Sequence, residues 1–134
     1  MAAFLSDEWF ASVVESADLL SEIEDVSFGF ELEISESASG KVRAHGRVER
    51  GRLMSLASGK FVSDPAGTKP EVMFAAKAKR ALPIITGQVN PLVAYMLGEL
   101  KIDGAYELVV DRFAGAVDRQ ALDRFRERVA AATD

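Results

Sequence analysis

The chain has 134 residues, the size of one ordinary domain and enough to bury roughly two-thirds of the surface that its unfolded form exposes. Its 49% hydrophobic and 28% charged residues are globular values and exclude disordered and collagen-like classes, while the lack of cysteine removes disulfides, zinc–thiolate sites and a cysteine nucleophile. A net charge of -5 argues against nucleic acid as a partner, because a phosphate backbone requires a basic surface.

No stretch approaches the ~18 consecutive apolar residues of a membrane-spanning helix, so no integral membrane segment is expected. The opening Met1 to Glu8 turns acidic with no basic region, unlike a secretory signal, and a cytoplasmic location is expected. The reading is a single domain over 1–134, with a core at about 20–113 and amphipathic terminal helices at 6–20 and 118–132.

Ser6 or Asp7 is a plausible N-cap for a first helix in which Trp9, Phe10, Val13, Val14, Ala17 and Leu20 recur at helical spacing. The period then changes. Val26, Phe28, Phe30, Leu32 and Ile34 alternate with polar or small residues, which predicts a strand with one buried face. After a turn at Ser37 to Gly40, Val42, Ala44, Gly46 and Val48 alternate with charged residues and predict an antiparallel partner. Arg50-Gly51-Arg52 reads as a second tight turn, Leu53 to Val62 as a third strand, 63–70 as a loop, and Val72, Phe74 and Ala76 as a short fourth strand continuing an antiparallel meander.

Helical spacing returns from Lys77 with Leu82, Ile84 and Ile85, and stops at Gly87. Asn90-Pro91 starts another helix, since proline at the first helical position loses no hydrogen bond, and Gly98 ends it. Leu100 and Ile102 predict a fifth strand, Tyr106 to Phe113 a helix, and Asp118 to Ala132 a last amphipathic helix on Leu122, Phe125 and Val129. The plan is α+β, with an antiparallel sheet of about five strands and helices covering one face.

Converging polar groups are scarce. His45, the only histidine, lies on the polar parity of its strand and is expected to face solvent; no metal site, nucleophile elbow or phosphate-binding glycine loop is present, and no cofactor is expected. Lys77, Lys79 and Arg80 form a local basic patch, which reads first as a solvated helix start. An acid–base enzyme of cone-shaped α+β type would have to use Asp103 with Tyr95 or Tyr106, but such folds end in long strands and this chain ends in helices.

The strongest local signal spans Pro83 to Gly104. Thr86-Gly87, Asn90-Pro91, Met96, Gly98, Leu100, Ile102 and Gly104 stand where the sterol carrier protein 2 family has a "T-G-x-x-x-P" turn, a methionine-bearing helix and a "G-x-L-x-I-x-G" strand. The stretch resembles that family's C-terminal signature, and the rest of 20–113 is similar in element order.

An apolar stripe at helical spacing is ordinarily core, but the resemblance implies an internal pocket that binds or transfers a fatty acid, acyl thioester, isoprenoid or sterol-like molecule without catalysis. Its expected walls are Phe28, Phe30 and Leu32 from the sheet with Ile85, Val89, Leu92, Met96 and Leu100 from the helical cap. Methionine suits a pocket that accepts varied shapes. The competing reading is an accessory module that pairs with a second copy or a partner protein through its terminal helices.

Overall fold

Ser6 begins the first helix because its extended backbone leaves the hydroxyl free to accept the Trp9 amide at 3.1 Å. The helix, α1 (Asp7–Ser16), turns Trp9, Phe10 and Val13 inward and ends in a 3-10 turn at Ala17–Leu19. The computed structural model of the protein describes residues 2–38, 40–59 and 70–133.

Strands β1 (Phe28–Ser37) and β2 (Gly40–Glu49) pair antiparallel, with Phe28 opposite Val48, Phe30 opposite Gly46 and Leu32 opposite Ala44. The alternation read from the sequence thus places Phe28, Phe30, Leu32 and Ile34 on one face, and Glu31 and Glu33 opposite His45 and Arg43 on the other. Ser39, inside the expected first turn, lies outside the described residues. β2 passes to β3 (Arg52–Ser58) through Arg50 and Gly51, whose φ angles of 52° and 78° give the two-residue turn whose twist suits a hairpin. Met54 bulges out where Arg47 pairs with Ser55 and Val48 with Leu53. The third strand stops at Ser58, short of the expected Val62; residues 60–62 and most of the expected loop lie outside the described residues.

The fourth strand corrects the sequence reading. β4 (Val72–Lys77) does not continue the meander but lies parallel to β1, with Val72 beside Phe30, Phe74 beside Leu32 and Ala76 beside Ile34. The sheet is therefore mixed, in the order β3-β2-β1-β4-β5, with all other pairs antiparallel. A parallel pair needs a long crossover, and the chain between Ser58 and Val72 is long enough to supply one. Periodicity fixes which residues of a strand face inward, but not which neighbour it joins.

From β4 the chain forms α2 (Ala78–Ile85) and α3 (Pro91–Met96), then returns as β5 (Leu100–Gly104) against β4. Asn90 caps α3 by accepting the Leu92 amide at 2.9 Å. The helix expected at Tyr106 to Phe113 is a π-helical turn, Leu108–Phe113, which runs into α4 (Ala114–Ala116). Asp118 then caps α5 (Arg119–Ala132), which buries Ala121, Phe125 and Val129. α1 packs on β3, α2 on β1 and β4, and α5 on α1 and α2, so the helices gather on the apolar face of the sheet.

Glycine is required at position 46. A Cβ there would run into the Ser55 carbonyl oxygen and stand 2.8 Å from Cζ of Phe30, whose ring lies across the strand pair. Gly46→Ala is expected to destabilise the protein by about 1–3 kcal/mol, as overpacking does, read as a lower midpoint in urea with an unchanged slope.

Candidate functional site

The residues facing inward from sheet and helices do not close up on one another. They border a partly open cavity of about 360 Å³, inside the roughly 300–1,000 Å³ range of small-molecule pockets. Phe28, Phe30, Leu32 and Ile34 of β1 and Phe74 of β4 form its floor, and Trp9, Ile85, Leu92, Leu122 and Phe125 belong to its helical side. The rings of Phe30 and Phe74 meet edge to face at 5.8 Å, which fixes both against the floor.

Among the described residues no charged side chain lines the space. The one polar side-chain atom among the lining residues is Nε1 of Trp9, and it donates to Oγ1 of Thr133 at 2.7 Å. That hydroxyl in turn donates to the Val129 carbonyl at 2.6 Å. Tryptophan therefore adds an apolar surface to the wall without leaving an unpaired donor beside it.

Six of the eight residues expected from the sequence, Phe28, Phe30, Leu32, Ile85, Leu92 and Leu100, line the cavity. Two do not. Val89 is half-buried in the α2–α3 connection, and Met96 is 82% exposed on the outer side of α3. The reason is length: α3 has six residues, so only its first turn, at Pro91 and Leu92, reaches the cavity. The sequence reading also missed the contribution of both chain ends. Leu20 and Val13 near α1 and Leu122 and Phe125 of α5 lie on stripes already visible as helical, but those stripes carry no sign of which wall they complete.

A single cation ties the helical side together. Arg126 of α5 donates through Nη2 to the Ile84 carbonyl at 2.5 Å and to the Val89 carbonyl at 2.8 Å, across the turn where Gly87 takes a φ of 91°. Partial burial presses its pKa below the ordinary guanidinium value, and Asp123 nearby opposes that shift. Arginine stays charged at neutral pH regardless, so these are charge-assisted bonds to one carbonyl at the end of α2 and one in the turn that follows it.

The groups considered for acid–base work stand elsewhere. Asp103 and Tyr106 are exposed, Tyr95 is half-buried, and none of them lines the cavity. His45 is on the outer face of the sheet as its parity requires, although half-buried, with Nδ1 3.1 Å from the Gly59 carbonyl oxygen. On that same face Lys41, through its hydrogen bond and its charge, and Arg43 hold the Glu33 carboxyl below the usual glutamate range.

A mixed sheet roofed by helices over a wholly apolar cavity is the architecture of a small hydrophobic-ligand fold. The sequence pattern of the SCP-2 sterol transfer family matches residues 15–113, most of the chain, and the protein belongs to that family. Solved structures agree on the fold. A crystal structure of sterol carrier protein 2 superposes with a TM-score of 0.63 at 12% identity, covering 94% of this chain and 96% of that one. A conserved hypothetical protein of Thermus thermophilus, described as possibly a sterol carrier protein, gives 0.62 at 14% identity, with 94% and 89% covered. Sterol carrier protein 2 of Aedes aegypti, solved in complex with the C16 fatty acid palmitate, gives 0.57 at 15% identity, with 95% and 98% covered. No curated protein matches the sequence. Among the described residues no helix is long and apolar enough to cross a membrane.

Arg126→Met keeps the length of the side chain and removes its donors. It is expected to cost about 1–2 kcal/mol and to speed hydrogen exchange at the amides of residues 86–89 ahead of the sheet amides. Uniform acceleration over the whole chain would show that Arg126 does not hold that turn in particular.

Proposed function

We propose that the protein is a non-catalytic carrier that holds one long-chain apolar molecule, such as a fatty acid or acyl thioester, between its sheet and its helices. The observation that carries this reading is an apolar cavity of about 360 Å³. Its walls forgo the contacts of a packed interior, and an apolar chain seated between them restores those contacts. A sequence that only needed a core would fill such a space.

Desolvation supplies the affinity. At ~0.8 kcal/mol per methylene, about fourteen buried methylenes contribute about 11 kcal/mol. Some 7 kcal/mol would remain after a loss of ~4 kcal/mol on association, which corresponds to roughly 10 micromolar. Nothing in the wall selects by hydrogen bonding, which favours tolerance among ligands of similar length and cross-section. The carrier role, rather than catalysis, is supported by a wall with no titratable side chain and by the position of His45, Asp103, Tyr95 and Tyr106 away from it.

A saturating long-chain fatty acid should raise the melting temperature by about 8 °C or more, since ligand at a hundred times Kd adds ~2.7 kcal/mol. Native mass spectrometry of the purified protein should show one retained lipid mass per chain.

Leu32→Trp places an indole in the cavity from the floor. It is expected to weaken binding of a fluorescent fatty acid at least about tenfold while moving the melting temperature by less than about 3 °C, whereas a closed core would be overpacked by ~1–3 kcal/mol. His45→Ala, on the opposite face, should leave uptake unchanged and stability within ~0.5 kcal/mol. Loss of uptake in that variant with the fold intact would count against a role confined to the cavity.

A further inference from the structure

Of the described residues that line the cavity, Leu92 at the head of α3 is the exposed one, and all the others are buried or half-buried. The cavity therefore meets solvent beside α3. A long apolar chain enters whole when the wall at that edge moves aside, and which part of the wall moves depends on what holds it.

The two helical walls differ in anchorage. α1 and α5 bury Trp9, Phe10, Val13, Ala121, Phe125 and Val129, and hydrogen bonds join Ala2 to Ala132 and Trp9 to Thr133. Separating them would expose a large apolar surface. α2 has no buried residue and α3 has only Ala94, although Ala81, Ile84, Ile85, Pro91 and Leu92 all belong to the cavity wall. Those side chains border open space rather than a packed core. The corner that α2 and α3 form is the part of the wall that opens at least cost.

The corner's own hydrogen bonds run within it, from the amides of Thr86, Gly87, Gln88 and Val89 back to the carbonyls of Leu82, Pro83 and Ile84. They travel with the corner when it moves. The ion pairs at its base, Lys77 with Glu36 and Arg80 with Glu99, are exposed enough to hold it weakly. The bonds that reach it from α5 are those of Arg126, to the Ile84 and Val89 carbonyls on either side of Gly87. Pro83 has no amide hydrogen to tie it to the first turn of α2, and Gly87, with a φ of 91°, takes a backbone conformation that other residues resist. Such positions absorb the backbone changes of a hinge.

We propose that residues 78–97 are the door of the cavity and that Arg126 is its latch, a positioning residue that sets how often the door opens without touching the ligand. The ligand passes beside Leu92 while the two bonds of Arg126 are broken, and the bonds re-form over the loaded cavity. The assignment rests on the carrier reading above and adds where, and by which step, the ligand enters.

The test is stopped-flow uptake and release of the fluorescent fatty acid cis-parinaric acid by the whole chain. Free and loaded protein pass through the same open state, so Arg126→Met should speed association and release alike, each about fivefold, and leave Kd unchanged within about twofold. A merely structural role for Arg126 would change Kd instead. A Cβ placed on Gly87 stands 3.6 Å from that of Arg126, within the ~3.5–4.5 Å of a disulfide, and the chain has no cysteine of its own. In a double Gly87→Cys, Arg126→Cys variant, oxidation should therefore lock the door and slow uptake and release at least about tenfold, and reduction should restore both in the same molecules. Thr133→Val removes the acceptor of the Trp9 indole and loosens the α1–α5 side; its rates should stay within about twofold of wild type. Unchanged rates in Arg126→Met, or equal rates in the oxidised and reduced double variant, overturn the door. Faster exchange in Thr133→Val than in Arg126→Met does so too, because the ligand then passes between α1 and α5. No saturable binding by the wild-type chain overturns the carrier reading itself, whereas binding with latch-independent rates overturns the door alone.

Discussion

Residues near the two ends of the described chain are tied to each other, and the tie holds together the two helices that border the cavity, α1 and α5. The Ala2 amide donates to the Ala132 carbonyl at 2.9 Å, Ala2 and Thr133 form a parallel bridge, and Trp9 of α1 reaches Thr133 through its indole nitrogen. α1 and α5 are thus held as one roof by hydrogen bonds that lie at their edge rather than in their shared apolar face. Apolar side chains of both helices, Val13 and Phe125 among them, can be drawn out of water and still border open space.

The sheet divides the chemistry of the molecule. Its strict alternation sends the aromatic and aliphatic residues of β1 and β4 to one side and collects Glu33, Lys41, Arg43 and Lys101 on the other. Among the described residues the inner side presents almost only carbon to the cavity, so what that side offers is the removal of apolar surface from water. The charged side is laced by cross-strand pairs such as Glu33 with Arg43 at 3.3 Å, exposed enough to contribute little to stability.

Helix α3 belongs to neither arrangement. It is too short to be pressed down along its length, its first turn touches the cavity, and its last turn stands in solvent. The turn before it is held to α5 by Arg126, through the Ile84 and Val89 carbonyls. Cavity edge and outer apolar surface are thus brought together by one segment with few buried contacts, the kind of segment that opens at low cost.

Much of this was legible in the amino-acid sequence. Period two over Val26 to Ile34 put Phe28, Phe30 and Leu32 on one apolar face, because alternation of side chains is a property of an extended backbone and needs no tertiary information. Capping chemistry at Ser6 or Asp7 and proline at the first helical position after Asn90 marked two helix starts for equally local reasons. The placement of β4 was not legible: it has the same alternation whether it joins β3 or β1, and only its burial between β1 and β5 decides the matter. Nor was the fate of Met96. Its spacing on α3 matches that of a core residue, and the sequence carries no measure of how far a six-residue helix reaches over a sheet. Local periodicity therefore determined which residues are apolar together, while the tertiary structure alone decided which of them enclose space, which fill it and which are left outside.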